Sequence, residues 1–319
     1  MAVYTDVAAD ELEDFLGRYE LGKVLSFKGI AEGVENSNYY LHTQAGTYIL
    51  TLFEKRVAEA DLPFFVATME HLAARGISCP RPVADTQGRM LARLAGRPAV
   101  IVSFLDGLSI RRPTTEHCRL LGAGMARMHL AAADFPLRRA NALGPASWKG
   151  LYAGSAAKAE SAFPGLPALI GDELASLDRA FPEALPQGLI HADLFPDNVF
   201  FLDGALSGFI DFYFACTDAL AYDLAIALNA WCFEPDGMFN VTKARALFSG
   251  YRAERPLAPV EIEAMPKLAR GAALRFLLTR LHDWLHHDAR AFVTPKDPLE
   301  YAQKLRFHRA STRPGELGL

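Results

Sequence analysis

The segment HADLFPDN at residues 191–198, followed by IDF at 210–212, is the part of the sequence that says most about the fold. Three polar side chains stand in it at short spacings: Asp193, Asn198 and Asp211. A strand pattern, GLIHAD, leads into the segment, and NVFF and SGFID predict a hairpin in which Asn198 starts one strand and Asp211 ends the next. The hairpin therefore predicts that the three side chains project into one space.

Two carboxylates and an amide in one place form a hard-oxygen site. Such a site suits Mg²⁺, which takes few protein ligands and completes its shell with water and phosphate. Phosphoryl transfer requires that the phosphate is held, that its charge is neutralised and that the attacking hydroxyl is aimed. The pattern predicts Asp211 as the ligand of the Mg²⁺ that bridges the β- and γ-phosphates of ATP. It predicts Asn198 as the ligand of a second ion and Asp193 as the catalytic base.

The region upstream of this segment is rich in strand patterns. A short amphipathic helix is predicted at 9–19 and a longer helix at 58–75. The predicted strands are 23–30, 36–43, 47–54, 89–94 and 98–104. Gln44-Ala45-Gly46 is typical of a tight hairpin loop, with Gly46 supplying a positive φ.

Helical periodicity prevails after residue 107. The predicted helices are 115–133, 171–181, 219–232, 242–252, 260–269 and 271–288. Residues 134–165 are expected to be irregular, and the polar tail after 293 to be loose. The patterns predict an α+β chain with a β-rich nucleotide-binding lobe at 1–104, a hinge at 105–107 and a helical lobe at 108–319. The helical lobe carries the catalytic hairpin and the substrate site.

Composition excludes several classes of partner. The net charge is −4 and no Lys/Arg block occurs, which argues against a nucleic-acid partner. The most apolar long stretch, 219–233, is too short to cross a bilayer. The N-terminus lacks the basic start of a signal peptide, and the four cysteines show no metal-site spacing. We therefore expect a cytoplasmic protein that acts on a small molecule.

HADLFPDN with IDF resembles the catalytic and metal-binding motifs of the aminoglycoside phosphotransferase and choline kinase superfamily, which is itself similar to protein kinases. The resemblance implies a bilobal, protein-kinase-like fold with a five-stranded antiparallel sheet and one main helix in the first lobe. It implies ATP as the phosphoryl donor. It also implies that His191 is a structural support of the catalytic loop and that Asp223 hydrogen-bonds the backbone of that loop.

The resemblance also suggests where ATP binds. Gly29 and Gly33 are candidates for a turn that approaches the phosphates. Further candidates around this turn and at the adenine hinge are Asn36, Ser37, Asn38, Ser103, Phe104 and Leu105. Thr51 stands at the strand position where protein kinases carry a Lys.

The cation and the helix carboxylate of a protein kinase have no clear counterpart. Lys55 and Arg56 are the cations nearest to Thr51 in sequence. Glu59 and Glu70 are candidates for the partner carboxylate, although solvated helix faces explain them more simply.

Longer blocks narrow the family. IDFYFAC, LNAWCF and LRFLLTRLHDWL are similar to the bacterial homoserine kinases of the aminoglycoside-phosphotransferase type, as distinct from the GHMP type. The similarity runs over about residues 1–310. It implies L-homoserine as the substrate and O-phospho-L-homoserine as the product, a step towards threonine.

A site for homoserine needs a cation for the carboxylate and an acceptor for the ammonium group. On the predicted helix 271–288, Arg275 is a candidate for the carboxylate. Asp283, which shares its side of the helix with Arg280, is a candidate for the ammonium group. Trp231 is a candidate floor of the pocket. Solvated helix faces and core packing explain these residues about equally well.

Two alternatives remain open. One is a related kinase acting on choline, an aminoglycoside or a sugar; a choline site favours an aromatic cage and an aminoglycoside site an acidic surface. The other is a non-catalytic nucleotide-binding regulator. Thr51 in place of Lys favours the regulator, whereas the presence of Asp193, Asn198 and Asp211 argues against it.

Overall fold

A computed structural model describes residues 5–30, 36–54, 57–182, 184–287 and 294–319. The chain divides into two compact units. The first contains Met1–Asp106 and Ser207–Tyr213, and the second contains Gly107–Leu206 and Phe214–Leu319.

The first unit is built on one antiparallel sheet. Its elements are α1 (Ala9–Leu16), β1 (Val24–Gly29), β2 (Asn36–Thr43), β3 (Gly46–Phe53), α2 (Leu62–Ala74), β4 (Ala92–Leu94) and β5 (Arg97–Ser103). The strand order is β1-β2-β3-β5-β4. Thr43 pairs with Gly46, whose φ of 147° closes the turn between β2 and β3. The predicted five strands and main helix are confirmed, with differences only at their ends.

The second unit is mostly helical. Its elements are β6 (Leu108–Ser109), α3 (Thr115–Ala131), α4 (Pro145–Ala153), α5 (Ala156–Ala162), α6 (Leu166–Ala180), β7 (Gln187–Ile190), β8 (Val199–Leu202), β9 (Ala205–Phe209, which ends in the first unit), β10 (Cys216–Ala219), α7 (Leu220–Trp231), α8 (Val241–Glu254), α9 (Pro259–Leu285) and α10 (Pro298–Ala310). β10 pairs antiparallel with β7, with Cys216 opposite Ile190. The loop that follows β7 therefore begins beside the first residue of β10.

Two helical predictions need correction. Residues 134–165, expected to be irregular, contain α4 and α5; Trp148 is buried and its indole N–H donates to Leu143 O at 2.9 Å. The two helices predicted at 260–269 and 271–288 are one helix, α9, with Pro266 inside it. Both halves of α9 bury apolar side chains, which offsets the hydrogen bond that Pro266 removes. No helix in the described ranges combines the length and apolar character needed to cross a bilayer.

The prediction of a loose tail after residue 293 is wrong. Residues 298–310 form α10, and Tyr301, Leu305 and His308 on it have no exposed surface. His308 Nε2 lies 3.0 Å from Asn229 Oδ1 on α7, which connects the two helices. The tail is therefore a packed helix of the second unit, with a face that is fully buried.

α3 and α8 touch backbone to backbone. A Cβ placed on Gly122 would lie 2.0 Å from Leu247 O, and one on Gly250 would lie 2.0 Å from Arg119 O. Only a residue without a side chain permits this approach. The close packing brings His129 on α3 against Tyr251 on α8, which matters for the site described next.

Candidate active site

The loop after β7 carries the predicted catalytic base in a strained backbone. Ala192 has a φ of 63°, in the left-handed region that residues with a Cβ seldom adopt. Asp193 follows it and is half-buried. A conformation of this kind costs about 1–3 kcal/mol and persists only where the surroundings hold it.

Asp223 on α7 holds that backbone. Its Oδ2 accepts the His191 N–H at 3.0 Å and its Oδ1 accepts the Ala192 N–H at 2.8 Å. The carboxylate has no exposed surface. Burial alone raises its pKa, but the hydrogen bond and charge of His129 bring the pKa below its usual range. The ionised carboxylate is therefore the form that binds the loop, and the backbone contact implied for Asp223 is present.

His129 and Tyr251 extend this support, and sequence reasoning missed both roles. His129 Nε2 lies 3.1 Å from Asp223 Oδ2, and its Nδ1 lies 2.8 Å from the Tyr251 hydroxyl. Tyr251 in turn accepts from Arg255 Nη1 at 3.2 Å. The only signal in the sequence is a polar residue within the apolar pattern of α3.

Arg275 and Trp231, predicted as substrate residues, both contact the loop backbone. The Arg275 guanidinium donates to Ala192 O, and the Trp231 indole N–H donates to Leu194 O at 2.8 Å. Each side chain is about 1% exposed, and Arg275 Cζ lies 4.2 Å from the centroid of the Phe276 ring. Burial of this extent favours a loop-supporting role for both residues. Asp283, the third predicted substrate residue, is half-buried on α9.

Asn198 lies at the end of the loop, immediately before β8, and is 9% exposed. Its Nδ2 donates to Asp193 O at 2.8 Å and to Asp193 Oδ2 at 3.1 Å. These bonds fix the orientation of the amide, so its Oδ1 is the atom that is available as a metal ligand. Among the described residues, no group of three or more His, Cys, Asp and Glu side chains forms a metal-binding cluster.

Asp211 lies in the first unit, also with a left-handed backbone, at a φ of 64°. Nearby, Tyr213 is half-buried, and desolvation of its hydroxyl together with the Asp211 charge raises the pKa of that hydroxyl. Tyr213 hydrogen-bonds Thr51, whose hydroxyl donates to Asn38 Oδ1 at 2.8 Å. Thr51, at the position predicted to correspond to the kinase Lys, is therefore hydrogen-bonded to two uncharged side chains, those of Tyr213 and Asn38.

The predicted phosphate turn is only partly described. Gly29 ends β1 opposite Tyr39, whereas Gly33 lies outside the described residues. Asn36 and Ser37 are buried at the start of β2. The Ser37 hydroxyl donates to Glu54 Oε1 at 2.7 Å, and Asn36 Oδ1 accepts the Glu54 N–H at 3.4 Å.

The predicted hinge follows β5. The Ser103 N–H donates to Arg81 O at 2.8 Å and the Phe104 N–H donates to Thr47 O at 3.2 Å. The Phe104 ring is 41% exposed, and Leu105 is half-buried.

The predicted partner carboxylates form surface ion pairs. Glu59 pairs with Arg93 at 2.6 Å and Glu70 with Arg81 at 2.9 Å. Lys55 and Arg56 lie outside the described residues.

Comparison with known proteins places this geometry in a family. The profile of the phosphotransferase enzyme family matches residues 26–257. A homoserine kinase of Xanthobacter autotrophicus is 62% identical over 319 residues, which cover 100% of this chain and 99% of that protein. A homoserine kinase of Rhodopseudomonas palustris is 63% identical over 310 residues, or 97% and 95% of the two chains.

Solved structures share the fold at low identity. A structure of amicoumacin kinase in complex with AMP-PNP, Ca²⁺ and its substrate has a TM-score of 0.69 at 17% identity, covering 96% of this chain and 94% of that one. A spectinomycin phosphotransferase in complex with ADP and spectinomycin has a TM-score of 0.68 at 14% identity, covering 98% of both chains. The fold class implied by the motif resemblance is confirmed.

Proposed function

The chain belongs to the phosphotransferase enzyme family, and we propose that it transfers the γ-phosphoryl group of ATP to the hydroxyl of L-homoserine. The products are O-phospho-L-homoserine and ADP, and the step leads towards threonine. The observation that carries the choice of substrate is the similarity to homoserine kinases at 62–63% identity over essentially the whole chain. The four buried free cysteines suit a reducing compartment, and we assign the enzyme to the cytoplasm.

In this proposal Asp193 aims the substrate hydroxyl and accepts its proton as the phosphoryl group is transferred. Its position depends on the Ala192 backbone, which Asp223 and Arg275 hold from two sides. The oxygen of the substrate attacks the γ-phosphorus, the bond to the β–γ bridging oxygen breaks, and ADP leaves. Positioning of this kind supplies most of the catalysis in phosphoryl transfer.

We assign divalent cations, Mg²⁺ in our proposal, to these residues: Asp211 would hold one ion, and the Oδ1 of Asn198 would hold a second. The fit rests on the donor chemistry: carboxylate and amide oxygens are hard ligands, and the contacts of Asn198 Nδ2 with Asp193 leave Oδ1 available. When bound, the ion neutralises phosphate charge. ATP is assigned to the turn with Gly29, Gly33 and Asn38 and to the hinge at Ser103–Leu105.

The test measures ADP release with Mg·ATP. We expect release to depend on L-homoserine and to be absent with choline, sugars or aminoglycosides. Asp193→Asn is expected to lower kcat by about 10²–10⁴-fold while ATP affinity stays nearly unchanged, because the carboxylate acts on the substrate hydroxyl. Asp197→Asn is the matched control, since Asp197 is an exposed residue of the same loop that pairs with Lys296.

The remaining outcomes would contradict the proposal in distinct ways. Release with one of the other alcohols and not with homoserine would identify a related kinase. No release with any alcohol would favour the non-catalytic regulator. An equal loss of ATP affinity and turnover in Asp193→Asn would argue against Asp193 as the base.

A further inference from the structure

Arg280, Glu300 and Lys304 form a charged cluster on α9 and α10, which we call the α9–α10 cluster. Glu300 bridges the two cations, with Oε2 2.5 Å from Arg280 Nη1 and Oε1 2.6 Å from Lys304 Nζ. The side chains of Arg280 and Lys304 are 10% and 6% exposed, whereas that of Glu300 is 50% exposed. Two nearly buried cations therefore share one half-exposed carboxylate, which leaves one excess positive charge.

The cluster lies beside the catalytic loop. The Tyr301 ring centroid is 4.4 Å from Arg280 Cζ and 4.4 Å from Lys304 Nζ. Burial raises the pKa of the Tyr301 hydroxyl, and the charge of Asp193 raises it further, so the ring stands within electrostatic reach of the base. Phe195, two residues after Asp193, has its ring centroid 6.4 Å from that of Tyr301. Tyr301 therefore contacts both cations, and its hydroxyl lies within range of the charge of Asp193.

The excess charge needs an anion. A nearly buried cation without a counter-charge is costly, and burial already lowers the pKa of the Lys304 ammonium group. Arg280 Nη1 donates to Glu300 and to Asp297 O, the latter at 3.4 Å. Within the described part of the chain, the other two guanidinium nitrogens of Arg280 donate no hydrogen bond. A planar guanidinium edge is suited to a carboxylate.

We propose that Arg280 and Lys304 bind the carboxylate of the substrate and so select a hydroxy amino acid over a plain amino alcohol. This inference rests on the proposed function. In L-homoserine three carbon atoms separate the hydroxyl oxygen from the carboxylate carbon, a span of roughly 5 Å when extended. A substrate of this length with its hydroxyl at Asp193 directs its carboxylate to the α9–α10 cluster, where two negative charges then balance two positive ones.

Lys296 is the competing cation near the loop. Its Nζ lies 5.3 Å from the Phe195 ring centroid and 3.5 Å from Asp197 Oδ2. Its side chain is 59% exposed and its charge is matched by one carboxylate. An exposed ion pair is solvated and already neutral, so it gains little from binding a further anion. We therefore favour the α9–α10 cluster.

The test compares L-homoserine with 3-aminopropan-1-ol, which is the same molecule without the carboxylate. We expect Arg280→Gln and Lys304→Gln each to lower kcat/KM for homoserine by about 10- to 100-fold, chiefly through KM, because a hydrogen bond to a charged group is lost. Turnover of 3-aminopropan-1-ol is expected to stay within about 3-fold of wild type, which also shows that the variants fold. Arg280→Lys is expected to recover part of the loss.

Arg306→Gln, at an exposed position of α10, and Lys296→Gln are the matched controls and are expected to keep the wild-type KM. A wild-type KM for homoserine in both Arg280→Gln and Lys304→Gln would overturn the carboxylate site. Equal losses for both alcohols, or a loss in kcat at constant KM, would overturn it as well. If the wild-type enzyme does not phosphorylate homoserine at all, the proposed function itself fails, so the two failures are distinguishable.

Discussion

At the scale of single residues, a substitution of Asp223 tests whether this carboxylate supports the catalytic loop as well as the stability of the fold. Asn in its place has one oxygen for the two N–H groups of His191 and Ala192, so one donor loses its acceptor. We expect Asp223→Asn to lower the free energy of unfolding by about 1–3 kcal/mol and to lower kcat as well, because Ala192 is no longer held in its strained conformation. Urea unfolding and steady-state kinetics measure the two effects.

Asp218→Asn is the control for that variant. Asp218 lies in β10, just before α7, and also accepts two hydrogen bonds, from Asn141 Nδ2 at 2.7 Å and from the Ala219 N–H at 2.6 Å, but neither donor belongs to the loop. We expect it to lose stability while its kcat is retained. An unchanged kcat in Asp223→Asn would show that the loop keeps its geometry without the carboxylate.

Contacts within the site were predictable where the residues lie close together in sequence. Asp193 and Asn198 are five positions apart in one loop, and their contact at 3.1 Å is local in sequence. His129 and Tyr251 are 122 positions apart and meet only because Gly122 and Gly250 let α3 and α8 touch. Nothing in either helix alone indicates that contact.

At the scale of elements, α10 shows why a polar segment can be a packed one. Lys304 is buried with its ammonium group paired to Glu300 one helical turn away, and His308 is buried against Asn229. The expectation that polar residues lie on the surface therefore wrongly predicts that this helix is exposed to solvent. Pro266 misled in a similar way, because a proline ends a helix in a sequence pattern but only weakens one whose two halves are both packed.

His308 makes the docking of α10 dependent on pH. Burial lowers its pKa from 6.5 to about 3, with the charges of Lys304 and Arg270 acting in the same direction. Between these values the unfolded chain binds a proton that the folded chain does not. The contribution to stability is therefore complete above about pH 6.5 and is lost as the pH falls below it, by about 1.4 kcal/mol per pH unit.

His308→Gln removes this proton while leaving an amide donor for Asn229. We expect the variant to show a smaller fall in the free energy of urea unfolding between about pH 6.5 and about pH 5 than the wild type does. His287→Gln, at an exposed position, should keep the wild-type dependence. Equal slopes for wild type and His308→Gln would mean that His308 becomes protonated in the folded protein.

At the scale of the whole molecule, the two units are interleaved in sequence. The lobes predicted from the sequence are each one continuous stretch of the chain. In the structure, the first unit also contains Ser207–Tyr213. A Cβ on Gly208 would lie 2.3 Å from Ser78 O, so this stretch runs directly against backbone of the first unit. The strand patterns NVFF and SGFID predict β8 and β9, but they carry no information on which unit contains residues 207–213.

The first unit is therefore expected to need that stretch in order to fold. The Phe209 N–H donates to Ser78 O at 3.1 Å, and the Tyr213 ring lies 5.0 Å from Phe53 and 5.9 Å from Phe65. Loss of a large aromatic side chain from a packed site costs up to about 3–5 kcal/mol, a large share of the whole stability of a small domain.

We expect a fragment of residues 1–106 to unfold without a cooperative urea transition. The same fragment joined to residues 207–213 through a Gly/Ser linker should regain one, and Tyr213→Ala in the linked fragment should abolish it. A cooperative transition of equal midpoint in the shorter fragment would show that Ser207–Tyr213 packs on a unit already folded without it.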